Sequence, residues 1–403
     1  MASFSAVTTI EELKRLYYSR AGMQFLKQDD LIAPFVTKAD DPVLRSTSGV
    51  FNAIFGAQAW IQLNMEANAF GVLPKTPWGR SGWRTISARA VATPSGGVGE
   101  AAAIPDSIKP TFIEVSTNPK TVAHVFEVSE IHEFLGTEGD DDTYATMANL
   151  RQYMIKEHKE HLNAMLLTMN GTLASNNFES VDRIVGSNSE IANCNEPNDQ
   201  TTAYTTGDLD IYGLDRDAAA AWHDAFVSHN SSTNRSLTDN LINSLIRNVI
   251  NNGSNYQGSV FFTHNDTWAV INQLYETQVR YNILGETQTQ PSINGIKAVM
   301  PGASFGVPTS TLYNRPVILS KNVIQNSGGV GHLYLLDISN PEGYDYPRLF
   351  IKIAKPTQYF EAGITQGNPF AIDKLSNQGM YRTMGEVICT FFAAQGKIRD
   401  IQS

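Results

Sequence analysis

Charge is what this sequence has least of. Asp, Glu, Lys and Arg make up 17% of its 403 residues, against about 25% in an average soluble protein. Ser, Thr, Asn, Gln and Gly supply the missing polarity. A surface poor in Lys and Glu suits a protein that mostly faces other protein, because charged groups are depleted at interface cores. A neutral-surfaced soluble enzyme has the same composition. Cysteine is nearly absent: Cys194 and Cys389 stand far apart and form no framework, so nothing points to an oxidising compartment. Asn170 and Asn265, each two residues before a Thr, are therefore not read as glycosylation sites. Long apolar runs are missing as well. None approaches the roughly 18 residues that span a bilayer, and residues 1–20 lack the apolar stretch of a secretory leader. This composition places the protein in cytoplasm-like solvent. Excess positive charge is the last absence. A net charge of −10 argues against holding nucleic acid by bulk charge, since phosphate contacts need clustered Lys and Arg. It does not exclude enclosing nucleic acid.

What is present changes character along the chain. Thr9 can cap a helix from Ile10 to about Arg20, with Glu11 and Glu12 in its first turn. A second helical stretch covers about 50–68, and Asp40-Asp41-Pro42 breaks the chain between them. From 71 to 120 helical periodicity vanishes. Trp83 to Thr93 reads as one strand and Thr111 to Ser116 as another, the latter with Ile113 and Val115 on one side. The Gly-rich tip Pro94 to Glu100 lies between them. A two-stranded finger of this kind is marginal alone and needs a neighbour.

Residues 121–129 alternate as a firm strand. Asp140, Asp141 and Asp142 then offer capping carboxylates to a helix over 143–169. Its stripe runs through Met147, Leu150, Met154, His158, Leu162 and Met165 to a stop at Asn170-Gly171. A helix of that length is roughly 40 Å long and serves as a spine. Residues 175–235 read as irregular, with 187–208 the most loop-like. Ser236-Leu237-Thr238-Asp239 resembles a capping box for a helix through Leu241, Leu245 and Val249, closed by Asn251-Asn252-Gly253. Ser259 to Thr263 is an apolar strand, and Asn265-Asp266 caps a helix to about Arg280. Strands follow at 295–300, 316–320, 332–337 and 348–354, and a last long strand covers 381–395. The fold class is α+β, without an internal repeat.

Few motifs point to chemistry. Gly97-Val98-Gly99-Glu100-Ala101-Ala102 has the letters of a dinucleotide fingerprint, but Pro105 and Pro110 oppose the helix that must follow. His158 and His161 sit three apart on the spine helix, not at the i, i+4 spacing of zinc proteases, and read as a packed or interfacial pair. Seven carboxylates crowd 121–150 without a Lys or Arg: Glu127, Glu130, Glu133, Glu138, Asp140, Asp141 and Asp142. They lack the spacing of a calcium loop. A solvated acidic face and a cross-subunit partner for Lys75, Arg80, Arg84 and Arg89 on the finger are the two main readings. Nothing assembles a catalytic constellation, so the chain is read as no enzyme, with no catalytic residue, no cofactor site and no metal site.

The order of these elements resembles the major capsid proteins of tailed double-stranded DNA viruses, the Hong Kong 97-type fold. The resemblance is carried by Gly99-Glu-Ala-Ala-Ala-Ile-Pro-Asp-Ser (99–107), Thr111-Phe-Ile-Glu-Val-Ser, and Asn118 to Glu130 leading into the spine helix. It continues in Ser259 to Trp268, Asn314 to Ser320 and Leu335 to Ser339. It covers about 70–403, by order and character. It implies an N-terminal arm (1–70), an extended loop (71–120) and a peripheral domain (121–180). An axial domain (181–344) and a return to the peripheral domain (345–403) follow. It also implies self-assembly into pentamers and hexamers of an icosahedral shell around packaged DNA, held without sequence-specific contacts and without a membrane. Scaffold, portal and decoration proteins are the further partners it suggests, with assembly in the host cytoplasm. Only about 70 residues precede the finger, so the expectation is an uncleaved subunit without a built-in scaffold segment. The alternatives are an encapsulin-type nanocompartment shell and another structural or carbohydrate-binding virion protein.

Overall fold

A computed structural model describes residues 68–88, 99–100, 109–131, 133, 147–168, 176–197, 201–216, 222–279, 292–293, 296–297, 309–325, 330–341, 346–364 and 374–402. The described helices are α1 (Asn68–Val72), α2 (Met147–Leu167), α3 (Val181–Ile184), α4 (Asn188–Asn193), α5 (Asp239–Asn251) and α6 (Asn265–Val279). The strands are β1 (Lys75–Pro77), β2 (Gly82–Ala88), β3 (Thr111–Ser116), β4 (Lys120–Ser129), β5 (Phe226–Ser228), β6 (Ser259–Thr263) and β7 (Ser292–Ile293). After them come β8 (Ile296–Lys297), β9 (Thr309–Leu312), β10 (Arg315–Leu319), β11 (Val330–Asp337), β12 (Leu349–Gly363), β13 (Ser376–Cys389) and β14 (Gly396–Gln402).

The chain divides into two compact units. One comprises Met1–Met65, Val122–Lys159 and Pro356–Thr383, the other Glu66–Thr121, Glu160–Lys355 and Met384–Ser403.

In the first unit, β4 alternates as its sequence suggests. Val122, Phe126 and Val128 turn inward while Ala123 and Val125 face out. Phe126, Val128, Met147 and Tyr381 form a small core, joined by Leu150, Met154, Ile155 and Tyr359. Aromatic area carries it: Phe126 stacks on Tyr381 at 6.1 Å, and the Arg151 guanidinium lies 4.0 Å over the Tyr359 ring.

The second unit holds a six-stranded sheet in the order β5-β14-β11-β6-β10-β9. β9 and β10 are joined through Tyr313 and Asn314, both at positive φ (48° and 61°), the backbone that a two-residue hairpin turn requires. One face is apolar. α5 presents Ile242, Leu245 and Val249 at helical spacing to Phe261, Val317, Leu333, Leu335, Ile398 and Ile401. Helix and strand come close enough that a Cβ on Gly396 would stand 2.6 Å from Val249. A bulge keeps the pattern: Asp400 lies at φ 64°, and the register shift there lets both Ile398 and Ile401 join the core. The opposite face is charged. Lys397 and Arg399 are fully buried against Asp182 and Glu190 at 2.7–3.0 Å.

Three expectations are corrected here. The tract 187–208 is not loop throughout: Asn188–Asn193 is helical, while its other described residues are turns and isolated bridges. Ser187 and Glu190 form a reciprocal capping box that starts α4, and α3 precedes it with Ser180 as its cap. The last strand does not run from 381 to 395: β13 ends at Cys389, a short turn follows, and β14 adds a strand that its three charges concealed. The caps also move by a few residues. Thr238 rather than Ser236 accepts from Leu241 N to open α5, and His264 Nδ1 accepts from Asp266 N at the start of α6.

Candidate assembly surfaces

The finger is real over its described part. β2 and β3 pair antiparallel, Gly82 opposite Ser116 and Ile86 opposite Phe112. Alternation gives it two unlike faces. Trp83, Thr85, Ile113 and Val115 share one, and Val115 is buried. Arg84, Glu114, Ile86 and Phe112 share the other, where Ile86 is 51% and Phe112 56% exposed.

The root of the finger is fastened by side chains distant in sequence. Trp83 meets Tyr212 edge-on at 5.3 Å, and the Tyr212 hydroxyl donates to the Val387 carbonyl at 2.7 Å. Lys352 Nζ donates to the Arg80 carbonyl at 2.6 Å and lies 5.5 Å over the Trp78 ring. Thr117 N closes the hairpin on Ser81 O. Three residues on, Lys120 Nζ stands 3.0 Å from Glu386 Oε2 and 4.0 Å from Glu179 Oε2. Arg183 Nη1 reaches Glu179 Oε1 at 3.2 Å. Burial pushes the Glu386 carboxyl up to about 7, with Lys120 opposing. Sequence reading missed this cluster, although Glu179 and Arg183 at i, i+4 are a visible signal.

The four basic candidates do not behave alike. Lys75 Nζ donates to the Phe70 carbonyl and lies 4.7 Å over its ring, and burial lowers its pKa. Arg80 is exposed. Arg84 pairs with Glu114 across the hairpin at 2.8 Å, both side chains about three-quarters exposed. Arg89 lies outside the described residues. Among the acidic candidates, Glu127 takes Lys374 at 3.1 Å and also Ser376, and Asn377 donates to Glu133. Glu130 is exposed, its amide bonded to Leu375 O. Asp140, Asp141, Asp142 and Glu138 lie outside the described residues, as do most of the fingerprint letters around Gly97.

The histidines separate. His161 is exposed, while His158 is fully buried and pairs instead with His124, Nδ1 to Nδ1, at 2.7 Å. Its Nε2 meets Thr383 Oγ1 at 2.8 Å. No cluster of three potential metal ligands occurs among the described residues. Burial raises Cys194 to about 11 and Cys389 to about 12, so neither thiol is a ready nucleophile.

No protein-family model and no curated protein matches the chain. Solved structures do. The cyanophage A-1(L) capsid asymmetric unit superposes with a TM-score of 0.59 at 14% identity, covering 86% of this chain and 97% of that one. The capsid of a native GTA particle gives a TM-score of 0.51 at 10% identity, over 86% and 93%. The chain has the Hong Kong 97-type capsid fold. At such identities the shared feature is the backbone path, so conclusions about contacts rest on this chain's own residues. Among the described residues the finger has one face anchored by Tyr212 and the other, with Ile86 and Phe112, exposed.

Proposed function

We propose that the chain is a major capsid protein, forming pentamers and hexamers of an icosahedral shell around packaged double-stranded DNA. The observation that carries this reading is the fold shared with a cyanophage capsid subunit along nearly that chain's whole length. The two-faced finger supports it. Ile86 and Phe112 form a bare apolar pair on a hairpin. The outer face of β4 and β12 carries its own exposed apolar side chains, Val125 at 52% and Phe360 at 41%. Laying the finger of one subunit on that face of the next covers both. Charge adds direction at the rim. Arg80 and Arg89 on the finger, with Glu130 and Asp140 to Asp142 on the neighbour, are its best carriers, because Lys75, Arg84 and Glu127 already have partners in their own chain. The subunit acts geometrically and not as a catalyst. Scaffold, portal and decoration proteins are its further partners, and the host cytoplasm is the site of assembly.

Electron microscopy of the expressed protein tests the proposal. Closed shells of uniform diameter are expected; a monodisperse monomer under all assembly conditions refutes it. Deleting 94–104 should leave a folded subunit that closes no shells. Replacing Arg80 and Arg89 by Glu should impair closure, whereas unchanged shells would return the acidic run to a solvated face. Shells filled with a co-purifying protein instead of DNA would favour an encapsulin-type compartment.

A further inference from the structure

The Lys120 cluster does more than fasten the finger. Its four charged groups, Lys120, Glu179, Arg183 and Glu386, sum to zero when all are ionised. Three are nearly sealed from water, with side chains 1–4% exposed, and Lys120 alone keeps a route to solvent at 21%. Glu386 is held in place from the other side, its Oε1 accepting from Glu179 N at 2.7 Å and Val387 N at 2.9 Å. Tyr212 also senses both carboxylates, and burial keeps its hydroxyl protonated well above the usual range. A proton on Glu386 therefore leaves one surplus positive charge in a buried site. Only Lys120 can carry that charge out, and it sits four residues after β3.

We infer that Glu386 and Lys120 form a proton-controlled latch at the root of the finger, closed when Glu386 is ionised and loosened when it is protonated. The inference rests on this cluster and not on the capsid reading. The sign follows from linkage. With Lys120 latched the carboxyl titrates near 7. With Lys120 in solvent and Glu386 still buried, it loses its main opposing cation and titrates higher. Acidification thus favours release, and the change occupies the window from the unlatched value down to about 7. Below that, both forms are protonated and no further loosening follows.

The test is acylation of the lysines in the full-length unassembled chain from pH 6 to 9.5, read by peptide mass spectrometry. The reactivity of Lys120 is taken relative to exposed Lys109, which cancels reagent chemistry. The ratio should be flat below about pH 7 and fall above it, by up to about tenfold for each pKa unit that Lys120 contributes. Glu386→Gln should abolish the fall and hold the ratio at its neutral-pH value. The protection of the β14 amides, corrected for the intrinsic rise of exchange with pH, should stay constant across the same series, which separates a latch from general loosening. A flat ratio in the natural chain overturns the proposal, whether or not the variant folds. So does an undiminished fall in Glu386→Gln, or a parallel change in β14.

Discussion

On one face of the six-stranded sheet, Ile398 and Ile401 of β14 join the cluster of Leu245 and Val249. On the other, Lys397 and Arg399 of the same strand meet Asp182 and Glu190. Both faces are fully buried, yet they are held by different physics. Apolar contact is non-directional, and each side chain contributes by its own area. The charged face works only as a set, because ions removed from water need every partner in place. β11 repeats the division: Leu333 and Leu335 point to the apolar side, while the Tyr334 hydroxyl donates to Asp182 at 2.8 Å.

Removing one member of the set should have the largest effect. Arg399 donates to Glu190 at 2.7 Å, to Asp400 at 3.1 Å and to the Asn195 carbonyl at 2.7 Å. Arg399→Met is expected to cost about 3–5 kcal/mol, measured by urea denaturation, because buried Asp400 loses its ion-pair partner and Glu190 keeps only Lys397. Leu245→Ala on the opposite face should cost about 2–4 kcal/mol, for transfer and cavity. An Arg399→Met loss smaller than that of Leu245→Ala would show that the charged face tolerates single gaps.

Acid should divide the molecule next. His332 is fully buried and donates from Nδ1 to the Ile324 carbonyl at 3.2 Å. Burial pushes its pKa down from 6.5 to about 4, with Asp182 opposing and Arg399 and Lys397 reinforcing. The unfolded chain then binds the proton first, so stability is lost as pH falls from 6.5 toward 4. Glu386 acts oppositely: raised from 4.5 to about 7, its folded form keeps the proton longer, and acidification through that window adds stability. Denaturation midpoints at pH 7 and pH 5 separate them. The two contributions nearly cancel over that interval in the natural chain, so His332→Gln should gain stability on acidification and Glu386→Gln should lose it. Identical pH slopes in both variants would remove these groups as the cause.

The same contrast explains which elements are legible in the sequence. α5 and α6 announce themselves because apolar residues recur at the helical period, and β6 because it is a short continuous apolar run buried along its length. The finger was legible from Ile113 and Val115 alternating beside a Gly-rich tip. β14 was not, since Gly396 to Gln402 carries three charges in seven residues, and buried charge looks like surface until its partners are known. Those partners, Asp182 and Glu190, sit on α3 and α4, in and beside the tract whose polarity reads as loop. One misreading concealed the other. The root cluster joins Lys120, Glu179 and Glu386 across more than 200 residues, a distance no local pattern spans.

The smallest expected effect on the subunit is the most informative about function. Trp83 and Phe112 lie on opposite faces of the finger, the first against Tyr212, the second 56% exposed. Trp83→Ala should lower the denaturation midpoint, because an edge-to-face aromatic pair and its buried area are lost. Phe112→Ser together with Ile86→Ser should leave the midpoint unchanged within error, since both side chains already face water. If a neighbouring subunit covers that pair, the double variant should nevertheless stop shell closure at protein concentrations where the natural chain assembles, as seen by light scattering and microscopy. A variant that keeps full stability and still closes shells would move the intersubunit contact away from this face. One that loses both stability and assembly would mean that the bare face is covered within its own chain.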